Sequence, residues 1–440
     1  MRRLYLDHAA TSFPKPPAVH QAMARYAEDL GASPGRGAYD EAQQAGRLMH
    51  VCRERLTQLI NGEDPTHIVF TLNCSDALNT AIKGIALHPT HRSPQISSVG
   101  PRDRNTALPH LITTALDHNS VLRPYNKLVA DGLATQTVIP CDPHTGLVDP
   151  NDIQAAITPH TKLIAVIHGS NVTGTLQPLA DIGRIARNHD IPFLVDAAQT
   201  LGHHPLDVQA LNIDLLAAPG HKGLLGPLGT GFLYIKPGTE KRMTTFKEGG
   251  TGSKSESDHQ PTFMPDRFEP GSHNAIGILG LSEGVKYILD QGIDTLWQHQ
   301  QTLIKTMIDG LEGGWSGYTS STDQTMPGFQ YFGPKGVAHR CGVFSFRLEG
   351  FTPPELSQKL ETDFGILSRS GIHCAPGAHQ TIGTHQPSDA HPSPGTTRLS
   401  FGPYTTPQDV KYATDALAQL CHASTQEIAP LPATDDSRPF

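Results

Sequence analysis

A lysine and an aspartate stand beside apolar segments of this 440-residue chain. Lys222 lies in a glycine-rich turn between the apolar runs 213–217 and 231–235, and Asp196 ends the apolar segment 191–196. A lysine amine can form a Schiff base with an aldehyde, and a buried carboxylate can keep a pyridine nitrogen protonated. Together the two side chains predict a pyridoxal phosphate (PLP) site. Taken singly, each has a plainer interpretation, because most His-Lys pairs are surface residues and a strand-terminal Asp is often a loop carboxylate.

The composition is typical of a soluble, loop-rich α/β protein. Hydrophobic residues make up 37% of the chain, and glycine and proline are plentiful. The net charge of −8 predicts no nucleic-acid partner. No apolar run reaches the ~18 residues of a membrane span, and no signal segment opens the chain. The six cysteines are scattered and form no C-x-x-C pair, so we expect a cytoplasmic protein without disulfides. We also expect no metal site, with most of the 24 histidines solvated.

Apolar runs and helical patterns alternate between about residues 40 and 236. This alternation predicts a mostly parallel sheet covered by helices on both faces. The predicted strands are 67–70, 111–115, 136–140, 162–168 and 191–196, and the predicted helices are 41–60, 76–87, 120–130 and 178–188.

The pattern changes after residue 236. Residues 248–270 are polar and predict a long functional loop. A second, smaller α+β domain is then predicted from helices at 275–289, 295–311, 354–362 and 406–421 and strands at 343–348, 365–368 and 397–401. We expect an N-terminal segment 1–16 that packs with the small domain, a large domain 17–260, a small domain 261–421 and a flexible tail 422–440. Polar insertions are predicted at 94–105 and 383–395.

Nine short motifs follow one another along the chain. They lie at 5–11, 71–79, 117–121, 170–175, 196–199, 221–222, 268–272, 370–376 and 397–401. In this order they closely resemble the class V aminotransferase family, specifically the cysteine desulfurases and selenocysteine lyases. The resemblance spans residues 4 to about 420. It implies the PLP-dependent transferase fold of type I, with a seven-stranded, mainly parallel sheet, a small C-terminal domain and a homodimer whose active sites lie at the interface.

The resemblance also implies which residues contact the cofactor and the substrate. PLP contacts are expected from Cys74, Ser75, His118, Asn171, Asp196, Gln199, His221, Lys222 and Ser272. Ser75 and the backbone at a helix start would hold the phosphate, as would His221 and Ser272, the last from either subunit. His118 would stack on the ring and move protons, and Gln199 would reach the ring hydroxyl. Arg398, with Asn171 and Arg369 nearby, would clamp the substrate carboxylate.

Cys374 distinguishes the subgroups. It stands in the segment Arg369–Ala375, whose pattern resembles the short-loop, type II (Suf-like) cysteine desulfurases. A thiolate is the nucleophile in such chemistry, and a protonated His373 beside it would lower the thiol pKa. The plainer alternative is a structural cysteine, since a lone cysteine is most often a small buried hydrophobe.

The favoured function is a PLP-dependent cysteine desulfurase that converts L-cysteine to L-alanine. Its catalytic residues would be Lys222, Cys374 and His118, and the persulfide formed on Cys374 would pass to a sulfur-acceptor protein or thiol. Two alternatives stay open. One is a selenocysteine lyase, a transaminase or another C–S lyase. The other is a regulator or sulfur-relay scaffold with little catalysis.

Overall fold

The structure, a computed structural model, describes residues 3–35, 37–89, 108–313, 328–389 and 391–422. The predicted insertion at 94–105 and nearly all of the predicted tail lie outside these ranges. The strands are β1 Leu4–Tyr5, β2 Ile68–Thr71, β3 His110–Thr114, β4 Thr135–Ile139, β5 Thr161–Ile167, β6 Phe193–Asp196, β7 Leu215–Pro219, β8 Gly231–Ile235, β9 Phe329–Tyr331, β10 Val343–Leu348, β11 Ile366–Leu367, β12 Arg369–Gly371 and β13 Thr396–Ser400. The helices are α1 Pro17–Arg25, α2 Asp40–Ile60, α3 Cys74–Ala86, α4 Asn119–Ala130, α5 Pro150–Ala156, α6 Leu179–Asn188, α7 Ala275–Gln291, α8 Ile293–Glu312, α9 Pro353–Phe364, α10 Pro376–Thr381 and α11 Pro407–His422.

Seven strands form the central sheet, in the order β2-β8-β7-β6-β5-β3-β4. Strands β3 to β7 run parallel, and β8 is antiparallel to both of its neighbours. Strands β6, β7 and β8 are buried along their whole length. This burial explains their continuous apolar sequences, because helices cover both faces of such a sheet. The predicted α/β fold class is confirmed.

Strands and helices predicted before residue 236 lie within two residues of their observed bounds. The predicted strand 365–368 contains the two-residue β11, while β12, which follows it and belongs to a different sheet, was not predicted. Helices α1, α5 and α10 were not predicted. Each begins with a proline at its first turn, a position where the missing N–H costs nothing. Residues 248–270 contain no helix or strand, as predicted.

The C-terminal part has its own core. Strands β12-β13-β10-β9 form an antiparallel sheet, and α8, α9 and α11 pack against it through a separate apolar cluster. The predicted domain boundaries at residues 16, 260 and 421 stay predictions. Among the helices of the described ranges, none combines the length and hydrophobicity that a bilayer span requires.

Residues 5–15, here named the N-terminal strap, join the two parts. The strap follows β1, which pairs in parallel with β11, and its Asp7 forms a bridge with Ser400 at the end of β13. Further along, the Ser12 N–H donates to the His221 carbonyl at 3.0 Å. The strap therefore contacts the small sheet and the Lys222 turn within a few residues of chain.

Candidate active site

A cleft of about 190 Å³ opens where the parallel strands end. Asp196 is the last residue of β6, and Lys222 follows the end of β7. Parallel strands present their carboxyl ends at one edge of the sheet, so side chains that follow different strands meet there. Every residue predicted to contact PLP except Ser272 lines this cleft: Cys74, Ser75, His118, Asn171, Asp196, Gln199, His221 and Lys222.

Asp196 is a buried carboxylate with few protein partners. Its Oδ1 accepts from the Ala198 N–H at 2.9 Å and faces the Cys74 thiol at 3.6 Å. Burial raises the pKa of Asp196, while the Ala198 N–H and the Lys222 charge oppose that rise. A buried carboxylate in this state is stabilised by any cation that enters the cleft.

Lys222 lies in a turn that packs closely against its surroundings. A Cβ at Gly220 would lie 2.1 Å from the Thr230 hydroxyl oxygen, and one at Gly223 would lie 2.2 Å from the Leu201 carbonyl oxygen. The turn therefore requires glycine on both sides of the His-Lys pair. Burial lowers the pKa of the Lys222 amine, although Asp196 acts in the opposite direction. A lowered amine pKa favours the neutral nucleophile that Schiff-base chemistry needs.

His118 is the N-cap of α4. Its Nδ1 accepts from the Ser120 N–H at 3.1 Å, so the neutral ring carries its proton on Nε2. Burial, together with the positive charge of Lys222, lowers the pKa of His118 to about 4. The ring is therefore neutral at pH 7. On the same side, the hydroxyls of Ser75 and Ser120 lie 2.6 Å apart, at the starts of α3 and α4.

Asn171 lines the cleft, and Arg398 lies behind it, bonded to the Asn171 carbonyl. Arg398 is 1% exposed; its Nη2 donates to Asp7 Oδ1 at 2.7 Å and its Nη1 to the Asn171 carbonyl at 3.1 Å. Arg398 Nε and Asn171 Oδ1 are buried and have no hydrogen-bond partner among the described residues. Buried polar atoms are normally paired, so these two indicate a missing polar ligand.

The strap contacts Gln199 and His221, the remaining residues that are predicted to bind the cofactor. Gln199 Nε2 donates to the Ala9 carbonyl at 3.1 Å, and His221 Nδ1 lies 3.1 Å from Thr11 Oγ1. Lys15 Nζ donates to the His221 carbonyl at 3.1 Å, and burial lowers the Lys15 pKa to about 8. Sequence reasoning assigned roles to Gln199 and His221 but none to the strap that positions them.

Cys374 is exposed at the mouth of the cleft. Its carbonyl accepts from the Asn119 N–H at 2.9 Å, and the preceding His373 carbonyl accepts from Asn171 Nδ2 at 2.6 Å. Both residues have positive φ, 52° for His373 and 59° for Cys374. Non-glycine residues rarely adopt this left-handed conformation, and it is often found at functional sites. The two hydrogen bonds hold the thiol beside α4.

His373 would lower the thiol pKa of Cys374 only if its ring were protonated, and this condition is not met. His373 is buried, with its Nε2 3.2 Å from Thr396 Oγ1. Burial and the nearby Arg398 lower the pKa of His373 well below its usual value, so the ring is neutral. Most of the 24 histidines were expected to be solvated, and six of those that the structure describes are instead buried. The buried ones are His8, His67, His110, His168, His373 and His379.

Besides Arg398 behind the cleft and Cys374 at its mouth, two more predicted site residues, Ser272 and Arg369, do not line the Lys222 cleft. Ser272 lines a separate cleft with Arg53 and Glu269, whose buried ion pair measures 2.7 Å. Arg369 lies opposite Arg398 in the pairing of β12 with β13, and its role toward the substrate stays a prediction. No group of three or more His, Cys, Asp or Glu residues in the described ranges is arranged to hold a metal ion.

The parallel sheet with a buried strand-end acid and a turn lysine defines a PLP-type enzyme of the type I fold. The chain belongs to the class V aminotransferase family, whose model matches residues 4–413. This confirms the resemblance that the nine motifs carry, while the short-loop subtype stays a prediction.

Curated relatives and solved structures agree. The chain is 31% identical over 420 residues to a probable cysteine desulfurase of Methanothermobacter thermautotrophicus, covering 95% of this chain and 94% of the relative. It is 32% identical over 375 residues to a cysteine desulfurase of Escherichia coli O157:H7, covering 84% of each. The apo cysteine desulfurase from Thermococcus onnurineus NA1 superposes with a TM-score of 0.81 at 29% identity, covering 96% and 95%. The E. coli cysteine desulfurase CsdA gives 0.75 at 27%, covering 94% and 93%.

Proposed function

We propose that this protein is a PLP-dependent cysteine desulfurase that converts L-cysteine to L-alanine and carries the sulfur as a persulfide on Cys374. The observation that carries the proposal is the exposed Cys374, hydrogen-bonded through its own carbonyl to α4 and through the adjoining His373 carbonyl to Asn171, at the mouth of the Lys222 cleft. The relatives named cysteine desulfurase support it over a selenocysteine lyase or transaminase.

The residues present fit PLP. Asp196 is a buried acid without a full counter-charge, and it would pair with the pyridine nitrogen. Lys222 would bind the aldehyde, and His118 and Gln199 would contact the ring. The phosphate would take donors from Ser75, from His221 and from the backbone at the start of α3. When bound, the cofactor supplies an electron-withdrawing ring that stabilises negative charge at the α-carbon of the substrate.

The chain's own residues would perform the remaining steps. Arg398 Nε and Asn171 Oδ1 lack hydrogen-bond partners among the described residues, and they would bind the substrate's carboxylate and amine. Lys222, whose amine pKa is lowered by burial, accepts the α-proton. The Cys374 thiolate attacks the substrate sulfur, an S–S bond forms as the Cβ–S bond breaks, and Cβ is protonated to give alanine.

The first experiment measures alanine released from L-cysteine under reductant by the wild type and by Cys374→Ser. We expect the variant to retain its yellow cofactor and to release no alanine. The half-buried Cys141 provides the matched control, and Cys141→Ser should behave as wild type. Alanine formation that persists in Cys374→Ser would contradict the persulfide assignment and favour lyase chemistry without that nucleophile.

We also propose a homodimer in which Ser272 enters the partner's Lys222 cleft. The support is its position in a cleft of its own, apart from Lys222 of the same chain. Lys222→Ala and Ser272→Ala protomers, each weak alone, should regain activity on mixing, because each heterodimer then holds one intact site. No gain on mixing would contradict the shared site. A cytoplasmic location and a sulfur-acceptor protein or thiol complete the proposal.

A further inference from the structure

A second cavity adjoins the Lys222 cleft on its outer side. This open recess of about 480 Å³ shares Ser75, His118 and Ser120 with the cleft and has Cys374 in its wall. Three cationic side chains line it, namely Lys83, Arg123 and Lys127. Among the residues that the structure describes, no aspartate or glutamate lines this recess. We name it the basic recess. On a chain of net charge −8, such a local excess of positive charge indicates a site for an anion.

The three cationic side chains differ in the partners that they contact within the chain. Arg123 and Lys127 stand one turn apart on the exposed side of α4. Lys127 contacts Asp131 at 2.6 Å, but its side chain is 69% exposed, where such a pair contributes little. Lys83 on α3 lies 4.1 Å from the centre of the Phe246 ring. Arg123 has no ion-pair partner among the described residues, so its charge is available to a ligand that enters the recess.

We propose that the basic recess binds the sulfur acceptor, and that this acceptor is a small thiol carrying a carboxylate. The inference rests on the proposed desulfurase function. The size of the recess falls within the range of small-molecule sites, roughly 300–1,000 Å³. An acceptor whose carboxylate is bound by Arg123, with Lys127 and Lys83 beside it, brings its own sulfur to the wall that holds Cys374.

The transfer step is a simple exchange. The acceptor thiolate attacks the terminal sulfur of the Cys374 persulfide, and a new S–S bond forms on the acceptor. The bond between that sulfur and Cys374 Sγ breaks, and Cys374 leaves as a thiolate. One S–S bond is made and one is lost, so the step needs no external oxidant or reductant.

The test uses holoenzyme loaded with persulfide by L-cysteine and freed of excess substrate. Mercaptosuccinate (anionic) and thioglycerol (neutral) are then added separately, and loss of the persulfide is followed by intact mass. At low salt we expect mercaptosuccinate to react at least about tenfold faster per thiolate, with the advantage falling as salt rises. Arg123→Gln/Lys127→Gln should remove most of this advantage. Arg184→Gln, which changes an exposed arginine on α6, should leave it intact.

A second measurement does not depend on desulfurase activity. Iodoacetate and iodoacetamide differ in charge, and both alkylate the exposed Cys374 of the unloaded enzyme. The ratio of their rates should exceed that for free cysteine about tenfold and should fall in the double variant. If no persulfide forms but this ratio of rates is raised, the desulfurase function is contradicted and the anion site in the basic recess is supported. Two results would contradict an anion site in the basic recess. One is equal rates for the two alkylating reagents together with equal rates for the two thiols. The other is a double variant that loses PLP but keeps the preference for the anionic reagents.

Discussion

Asp196 illustrates how a single residue can be stable in a fold and still require a ligand. Its carboxylate is buried, and burial raises its pKa because the few donors around it do not replace water. A protonated pyridine nitrogen would supply the missing positive charge. The acid therefore fits a site for a cationic ring nitrogen.

Asp196→Asn tests this at the scale of one residue. The amide keeps the shape and can still accept from the Ala198 N–H, but it cannot hold a pyridinium proton. We expect kcat for alanine formation to fall about 100-fold or more, equivalent to about 3 kcal/mol, with the fold retained. Activity is measured at saturating PLP. Asp181→Asn, at an exposed carboxylate on α6, provides the control, and an unchanged kcat in Asp196→Asn would contradict the role.

Residue types and order predicted most of this site, because family motifs cluster where strands end. The positions of Asp196, Lys222, Asn171 and Arg398 follow from the strands that carry them. The partner of Arg398 did not follow, since Asp7 lies 391 residues away in sequence. The neutral state of His373 could not be predicted either, because it depends on burial that a local sequence pattern does not reveal.

The strap is the element that makes the site depend on the chain's first residues. Asp7 holds Arg398, Ala9 holds Gln199, and Thr11, Ser12 and Lys15 hold His221. The N-terminal segment 1–16 was predicted to pack with the small domain. Its contacts with the cofactor cleft come from the tertiary path of the chain and have no local signature.

Asp7→Ala should therefore impair substrate binding more than chemistry. Removing the carboxylate takes away a charged hydrogen bond, and Arg398 loses its orientation. We expect KM for L-cysteine to rise about tenfold with kcat nearly unchanged. Asp7→Asn, which keeps an acceptor oxygen, should show a smaller rise. Arg3→Ala, at an exposed ion pair just before the strap, should change neither constant; a fall in kcat alone would contradict the positioning role.

The Arg53–Glu269 pair joins α2 to the end of the long loop. Both side chains are buried, Glu269 also accepts from the Phe70 N–H, and Arg53 lies over the Phe70 ring at 4.2 Å. Arg53→Met removes the guanidinium partner of the buried Glu269, which keeps only the Phe70 N–H and His273 Nε2 at 3.3 Å. It should lower the free energy of unfolding by about 3–5 kcal/mol. Chemical denaturation measures the loss. Arg184→Ala, at an exposed pair, should cost less than about 1 kcal/mol, and equal losses would contradict the argument.

The whole molecule carries many histidines that folding keeps neutral. Burial lowers the pKa of His8 to about 3 and that of His379 to about 4, against an unfolded value near 6.5. Between pH 6.5 and 4 the unfolded chain therefore binds more protons at these groups than the native state does. Their contribution to stability is complete above the unfolded pKa and is lost as the pH falls toward the folded pKa.

His379→Gln should reduce this pH dependence. Over pH 5 to 6.5, the slope of unfolding free energy against pH should fall by up to about 1.4 kcal/mol per pH unit, the value of one proton. Urea titrations at several pH values measure the slope. His50 on α2 is half exposed and provides the control. A slope that is the same in His379→Gln and wild type would show that His379 is not held neutral.

The distribution of thiols has a practical consequence. Of the six cysteines, Cys374 is exposed, and burial raises the pKa of Cys52, Cys141, Cys341 and Cys421 to about 12 and raises that of Cys74 as well. At neutral pH the unmodified protein thus offers one reactive attachment point. A dye or spin label can be attached to Cys374 without any substitution, and each sulfur atom that the protein gains or loses at this thiol can be assigned to that residue.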